Sequence, residues 1–286
     1  MQTVEELSNL LNLERLDANL FRGNNYQTPW GIVFGGQVLA QSLNAARRTV
    51  PEDRCVHSMH AYFILPGDLS LPIIYDVDRI RDGGSFTTRR VVAIQKGRPI
   101  FNMAASFQLN QEGLDHQITM PNVPPPEALL TDIELSETWK EEAPEAYKRY
   151  QTPRPIEFRP VERFHPLDKR KHEPFRHVWM RATGSMLDLK ALHCEALAYA
   201  SDYNLLGTSV LPHRDVVNDT ELQFASIDHA MWFHRDFRMD EWLLYALDSP
   251  SASGTRGFNR GNIFTKDGTL VASVVQEGLI RKRRKK

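Results

Sequence analysis

Hydrophobic and polar residues alternate along two long stretches of the chain, one in each half. Alternation with a period of two predicts β-strands, and Gly, Pro and Asp clusters between the runs predict tight turns. The first half has predicted strands at residues 56–65, 72–80, 85–96 and 100–109. The second half has them near residues 175–183, 223–235, 241–249, 253–264 and 269–280. Each half therefore contains an antiparallel run of strands.

Each half also contains a segment whose composition predicts a helix. An Ala-, Leu- and Gln-rich run follows Gly35 and Gly36 and stops before Pro51, and residues 189–206 resemble it. Residues 4–20 carry a loose helical stripe of leucines and predict a shorter helix. A helix with a sheet, found twice, indicates the α+β class.

The two halves also share a sequence pattern. The stretch from His60 to Gln108 and the stretch from His229 to Gln276 both open on His-Ala with aromatic residues, and both cross a Gly/Ser corner. They superpose with gaps of one or two residues, which indicates two copies of one β-rich unit.

Proline marks the boundary between the copies. Nine of the 17 prolines lie between residues 110 and 166, where one helix is predicted at 136–150, interrupted or bent at Pro144. We therefore predict an N-terminal unit at 1–112, a proline-rich linker at 113–166 and a C-terminal unit at 167–286.

A sheet wrapped around one long helix fits each unit. Two such sheets can join edge to edge into one continuous sheet, which hides strand edges that would otherwise template aggregation. The predicted architecture is therefore a double hotdog within a single chain.

Composition limits the function. The chain of 286 residues has 41% apolar residues but no apolar stretch long enough to span a membrane, and no secretory leader is indicated. Its two cysteines, Cys55 and Cys194, form neither a disulfide framework nor a metal-ligand spacing. We expect a soluble cytoplasmic protein.

The net charge of −1 hides an uneven distribution. Residues 281–286 are all basic, and without them 29 basic residues stand against 36 acidic ones. An acidic body argues against a nucleic-acid groove, and we interpret the basic run as a solvated tail.

Several separate motifs resemble the acyl-CoA thioesterase II family of double-hotdog enzymes, and the likeness extends from about residue 8 to 281. These motifs are VFGGQVLAQSL, HSMHAYFILPGD, RDGGSFTTRRVVAIQ, YASDYNLL, SIDHAMWFHRDFRMDEWLLY, SPSASGTRGFNRG and DGTLVASVVQEGLIR. The resemblance implies hydrolysis of fatty acyl-CoA to free acid and CoA, without a metal or an organic cofactor. It also implies that Asp202, Ser226 and Gln276 together hold a water.

The positions of these three residues are unusual even when the family resemblance is set aside. Asp202 lies late in an apolar helix, where both desolvation and the helix dipole disfavour a carboxylate, and matching the copies places it near Ala46. Gln276 falls on an apolar strand face, where an amide needs partners. A solvent-exposed helix end, or a structural glutamine shared with Gln108, would explain them without catalysis.

Ser226 fits less easily. Strict alternation turns it away from the apolar face of the strand at residues 223–235, so a catalytic Ser226 requires a bulge or a place outside regular pairing. Asp228 and His229 are adjacent on that strand and point to opposite faces, so they do not form a base and its orienting acid. His57 and His60 make a poor metal pair for the same reason.

The expected chemistry needs an activated water and an oxyanion site. Asp202 would take the proton of a water held by Ser226 and Gln276, and direct attack by Asp202 to give an anhydride is the alternative. Gly35 and Gly36, at a helix start, are candidate oxyanion donors, although they would equally suit tight helix packing. Arg89, Arg90 and Arg256 are candidate contacts for CoA phosphates, or solvated charges.

Other functions remain open. A hotdog enoyl-CoA hydratase is one, but the residues after Asp202 lack the Asn-Pro and His of such enzymes; a non-catalytic acyl-CoA-binding module is another. The chain has no G-x-S-x-G elbow, no H-E-x-x-H and no Walker loop. We expect a homo-oligomer, a dimer or tetramer, because sheet edges would be exposed.

Overall fold

A computed structural model describes residues 1–217 and 222–282. Within them, five α-helices and thirteen strands are present. The helices are α1 Val4–Leu11, α2 Gly35–Arg47, α3 Asp132–Glu137, α4 Pro144–Tyr150 and α5 Lys190–Ser201. Two 3₁₀ helices lie at Pro126–Ala128 and Leu206–His213. Only the first two residues of the basic run at 281–286 lie within the described part.

The first half of the chain contributes β1 Glu14–Asp17, β2 Leu20–Gly23, β3 Arg54–Phe63, β4 Ile73–Asp82, β5 Phe86–Gln95 and β6 Arg98–Leu109. The second half contributes β7 Ile156–Pro160, β8 Phe175–Ala182, β9 Leu222–Ser226, β10 Asp228–Phe233, β11 Leu243–Ser253, β12 Arg256–Thr265 and β13 Leu270–Lys282.

All strands belong to one antiparallel sheet. Its order is β1-β2-β4-β5-β6-β3-β10-β13-β12-β11-β8-β7, with β9 paired to β13. The strand order β2-β4-β5-β6-β3 in the first half is matched in reverse by β10-β13-β12-β11-β8 in the second half. The sheet therefore consists of two equivalent halves, which are joined where β3 pairs with β10. This confirms the predicted double hotdog.

Helices α2 and α5 fill the space that the sheet encloses. Almost every residue of α2 from Gly36 to Ala46 is buried, as is α5 from Glu195 to Ser201. The end of α2 meets the middle of α5, where Arg47 Nε bonds Glu195 Oε1 at 2.7 Å. The two helices therefore pack antiparallel, and the start of α2 lies beside the end of α5.

Three predicted elements differ from the structure. The helix expected at 4–20 ends at Leu11, and β1 and β2 follow because Phe21 pairs with the buried Tyr75 of β4. The helix expected at 136–150 is two helices, with Pro144 opening α4, where its missing N–H costs nothing. The predicted linker also contains β7, which pairs with β8 at the sheet edge. The domain boundaries at 112 and 166 stay a prediction.

Candidate active site

Asp202 caps the C-terminal end of α5. This helix stops at Ser201, one turn before the predicted end, and the Asp202 side chain points to the start of α2. Burial raises the pKa of this carboxyl, while hydrogen bonds from Gln276, the Gly36 N–H and Ser226 act to lower it. An acid at the unfavourable end of one helix is therefore faced by the favourable end of another.

Gln276 connects the acid to the serine. It is 1% exposed on the inner face of β13, as the alternation predicted. Its Nε2 donates to Asp202 Oδ1 at 2.9 Å and to Ser226 Oγ at 3.0 Å. Its Oε1 is buried and accepts no hydrogen bond from the described residues. That oxygen is therefore an unused hydrogen-bond acceptor next to the acid and the serine.

Ser226 reaches this network because the strand is irregular. On β13, Gly278 pairs with Ser226 and Val275 pairs with Ala230, so the strand containing Ser226 has one residue more than its partner. An extra residue of this kind is a β-bulge. The bulge turns Ser226 towards Asp202, with Oγ 3.4 Å from Oδ1, and thereby resolves the register conflict.

The two glycines approach α5 for different reasons. A Cβ on Gly35 would lie 2.7 Å from Asp202 Oδ2, whereas a Cβ on Gly36 would lie 2.3 Å from the Tyr199 carbonyl oxygen. Gly36 therefore permits close packing of the two helices, and Gly35 permits close approach to the acid.

A cavity of about 400 Å³ opens beside Asp202. Its wall combines the loop before α2, the end of α5 and the linker, and it includes six aromatic side chains: Tyr26, Trp30, Phe34, Tyr150, Phe158 and Tyr203. Arg149 and Arg154 of the linker also line it. The sequence analysis missed the linker's part, because nothing local indicates where a linker folds back.

Three tyrosines at this cavity form a hydrogen-bonded chain that the sequence analysis also missed. The hydroxyl groups of Tyr26 and Tyr199 lie 3.2 Å apart, and those of Tyr199 and Tyr203 lie 3.1 Å apart. Burial raises the pKa of each, so the phenols stay neutral and remain donors. Only the spacing of four residues between Tyr199 and Tyr203, next to Asp202, was a visible signal.

The arginines predicted to contact CoA divide into two groups. Arg89 is fully buried and bonds Thr49 and Asp82, so it has no surface for a phosphate, and its prediction as a CoA contact is corrected. Arg90 and Arg256 are exposed and pair with carboxylates, Asp78 at 3.0 Å and Glu277 at 2.9 Å. Exposed pairs of this kind are weak and exchange partners readily.

The neighbouring histidine and aspartate do not pair. His229 is buried, and its Nε2 lies 3.0 Å from Ser201 Oγ. Burial lowers its pKa to about 3, so it is neutral. Asp228 instead accepts a bond from the Glu277 N–H at 2.7 Å within the bulge. Among residues 1–217 and 222–282, no group of three or more His, Cys, Asp or Glu side chains is arranged to hold a metal.

The matching place in the first half lacks this chemistry. Aligning the helix starts sets Asp202 against Arg47 of α2. Aligning the strand ladders sets Ser226 against Val56 and Gln276 against Ala105. The sequence comparison had suggested Gln108 as the counterpart of Gln276. The sheet register shows instead that Ala105 takes that position. Within the described residues, the polar triplet exists once.

Comparison with known proteins identifies the family. Residues 146–279 match the acyl-CoA thioesterase family model, and residues 26–108 match the model of the acyl-CoA thioesterase N-terminal domain. Human acyl-coenzyme A thioesterase 8 is 43% identical over 96% of this chain and 88% of its own length. Acyl-CoA thioesterase 2 of Haemophilus influenzae is 40% identical, over 97% of this chain and 98% of its own.

A solved structure agrees in both sequence and fold. The acyl-CoA thioesterase II TesB2 from Mycobacterium marinum is 43% identical and superposes with a TM-score of 0.81, over 97% of this chain and 98% of its own. No described helix is long and apolar enough to cross a membrane. Because the chain is 40–43% identical to several such enzymes over nearly its full length, and because it has the double-hotdog sheet, it belongs to the acyl-CoA thioesterase II family.

Proposed function

We propose that this enzyme hydrolyses fatty acyl-CoA thioesters to a free acid and CoA by means of a water held at Asp202, Ser226 and Gln276. One observation supports this most: a single amide nitrogen, Gln276 Nε2, donates both to the Ser226 hydroxyl and to Asp202, the acid that lines the cavity. Similarity to proteins named acyl-CoA thioesterases supports the substrate class.

Asp202 suits the role of general base. Its Oδ1 is held by Gln276, which leaves Oδ2 on the side of Gly35. Burial raises the pKa of the carboxyl, and a base is most effective when its pKa approaches the working pH. Asp202 removes a proton from the water, whose oxygen bonds to the acyl carbon.

Leaving-group departure needs little help. The C–S bond breaks as the carbonyl re-forms, and the thiolate of a thiol with a pKa of about 8.5 leaves easily and takes a proton from Asp202 or solvent. The orphaned Gln276 Oε1 accepts the second proton of the attacking water in a hydrogen bond. Gln276 thereby orients the water without acting as a base.

The start of α2 supplies the electrostatic stabilisation of the oxyanion. The first N–H groups of a helix have no partner within the helix, and Gly35 and Gly36 present theirs without side chains. The Gly36 N–H faces Asp202 and stabilises its charge. The carbonyl oxygen of a bound thioester takes a place at these donors.

The cavity fits the remainder of the substrate. Aromatic side chains offer an apolar wall to an acyl chain, while Arg149 at its rim is exposed. Phosphate groups of CoA pair with guanidinium groups. We include Arg149 with Arg90 and Arg256 as candidate contacts, and we leave Arg89 out.

Thiol release from a series of purified acyl-CoA substrates, from short to long chains, tests the proposal. Asp202→Asn should lower kcat by about 10²- to 10⁴-fold, the range for loss of general-base catalysis. The matched control is Asp228→Asn, the same change on the neighbouring bulge, and it should keep near-normal turnover.

Three outcomes would contradict the proposal. Near-normal turnover in Asp202→Asn would remove this acid from the mechanism. Binding of acyl-CoA without thiol release in the unaltered enzyme would revive the binding-module alternative, and hydration of an enoyl-CoA would support the hydratase.

We also retain the proposal of a homo-oligomer, a dimer or tetramer. Aromatic residues lie on the outer face of the two central strands, where Tyr62 is 59% exposed and the His60 and Trp232 rings are 5.1 Å apart. Exposed apolar surface at the centre of a sheet suits a contact with a second copy. Light scattering coupled to size exclusion measures the mass, and a monomer would refute the proposal.

A further inference from the structure

A second and larger cavity occupies the place that matches the active site in the other half of the fold. Its volume is about 670 Å³, and it lies beside the start of α5 and the end of α2. Arg47 and Val56, which correspond to Asp202 and Ser226, are among its lining residues. Both equivalent positions of the duplicated fold therefore have a cavity, but only the active site has the acid, Asp202.

Apolar side chains line much of this cavity. They come from both helices and from the strands of both halves: Leu43, Val56, Phe107, Leu189, Phe233 and Phe237. Such a lining suits an alkyl chain, because burial of apolar surface is favourable at roughly 25 cal/mol per Å².

The charge at this place is opposite to that at the active site. Arg47 Nε bonds the buried Glu195 at 2.7 Å, and Asn44 supports the same carboxylate at 3.0 Å. The Arg47 side chain is 39% exposed, and within residues 1–217 and 222–282 no acceptor is bonded to its two terminal nitrogens. Those nitrogens offer a planar pair of donors, the arrangement that recognises a carboxylate.

Other cations around the cavity are occupied. Lys190 pairs with Asp236 at 2.5 Å, and Arg235 pairs with Asp115 at 2.5 Å. Arg54 donates to the carbonyl oxygens of Gly83 and Gly84. Among the guanidinium groups that the structure describes in this lining, Arg47 is the one whose two terminal nitrogens donate to no acceptor.

We propose that the second cavity binds a fatty carboxylate, with its chain among the apolar side chains and its carboxylate on the terminal nitrogens of Arg47. A fatty carboxylate is the acid product of thioester hydrolysis, so this ligand class rests on the proposed function. A thioester has no anionic head at its acyl end, and Arg47 therefore favours the product over the reacting group.

The chain carries its own reporter for this cavity. Both cysteines, the exposed Cys55 and the partly buried Cys194, line the cavity, but burial raises the pKa of the Cys194 thiol and makes it a poor nucleophile. The alkylation rate of Cys55, followed by mass spectrometry, reads occupancy without depending on turnover. Dodecanoate is the probe, and dodecanol is the control with the same chain and no carboxylate.

We expect saturating dodecanoate to slow alkylation at least about fivefold, and dodecanol to have much less effect. In Arg47→Gln/Glu195→Gln, where the pair is neutralised together to spare the fold, dodecanoate should lose this protection. Lys190→Gln, which also removes one positive charge from the rim, should keep it. Thermal unfolding verifies that both variants are folded.

Equal protection by dodecanol, or full protection in the double variant, would overturn the proposal. If the double variant does not fold, Val56→Trp, which fills the cavity, takes its place, and its unchanged affinity for dodecanoate would overturn the proposal equally. Asp202→Asn separates the two proposals, because it should lose turnover and keep the protection.

Discussion

At the scale of single residues, the site holds an acid where the fold does not favour one. Asp202 is desolvated and lies at the negative end of α5, and three donors compensate it only in part, since its pKa remains above the ordinary value. A functional group that destabilises its own fold is typical of active sites.

The raised pKa of Asp202 predicts opposite effects of one substitution on stability and activity. A carboxyl whose pKa is higher in the folded state stabilises the fold below its unfolded pKa, and this contribution is lost as the pH rises through the folded pKa. Asp202→Asn should therefore raise Tm at neutral pH while it abolishes turnover, and the gain in Tm should shrink in acid. A lower Tm at neutral pH would show that the carboxylate stabilises the fold.

The pH dependence of turnover follows from the same pKa. Because the base must be ionised, kcat should fall as the pH drops through the pKa of Asp202, above the ordinary value of 3.8. Steady-state rates from acid to neutral pH would measure the midpoint. A flat profile over this range would exclude a titrating base at the site.

Removal of the amide at position 276 tests how the water is held. Gln276→Ala deletes the donor to Asp202 and Ser226, and the loss of a hydrogen bond to a charged group costs about 1.5–3 kcal/mol, or roughly 10- to 150-fold in kcat. Gln223→Ala, on the exposed face of β9, is the control and should have near-normal kcat. Equal rates in both variants would limit Gln276 to packing.

At the scale of elements, two irregularities assemble the site. The bulge between β9 and β10 turns Ser226 inwards, and the glycine start of α2 lets a helix of one half approach the acid of the other. Regular strands and a helix with ordinary side chains would leave the same residues apart.

Substitutions at the start of α2 should separate its two effects. Gly35→Ala places a methyl group 2.7 Å from Asp202 Oδ2 and should lower kcat with little change in Tm. Gly36→Ala places one 2.3 Å from the Tyr199 carbonyl oxygen, which cannot move without α5, and should lower Tm. Gly84→Ala, in open space, is the control. Turnover unchanged by Gly35→Ala would remove Gly35 from the oxyanion site.

At the scale of the whole molecule, the two halves are held together by the sheet and by an ion pair between the buried Glu195 and the partly exposed Arg47. Glu195 is 2% exposed and depends on Arg47 and Asn44 of the other half. Burial raises the pKa of Glu195, and the Arg47 charge lowers it. A buried charge without its partner is costly, whereas a neutral pair is often tolerated.

A double-mutant cycle on this pair should therefore be strongly non-additive. Arg47→Gln leaves the buried Glu195 with Asn44 but without its charged partner. Because Arg47 is partly exposed, this change should destabilise the protein at neutral pH by less than the loss of about 3–5 kcal/mol expected for a fully buried pair. The cost should be smaller in acid, where Glu195 is protonated. Arg47→Gln/Glu195→Gln should recover most of the loss in denaturant unfolding, and additive losses would show that the two residues act independently.

The residue pattern was sufficient to predict the architecture and the chemistry available. Alternation, turns and the internal repeat predict two helix-and-sheet units, since side-chain period and backbone preference act locally. The anomalous polarity of Asp202 and Gln276 on apolar faces could also be seen without coordinates. Long-range packing decided the rest: the bulge that turns Ser226, the burial of Arg89, and the position of the linker over the cavity. These features depend on contacts between residues far apart in the chain, which carry no local signal, and only the tertiary structure establishes them.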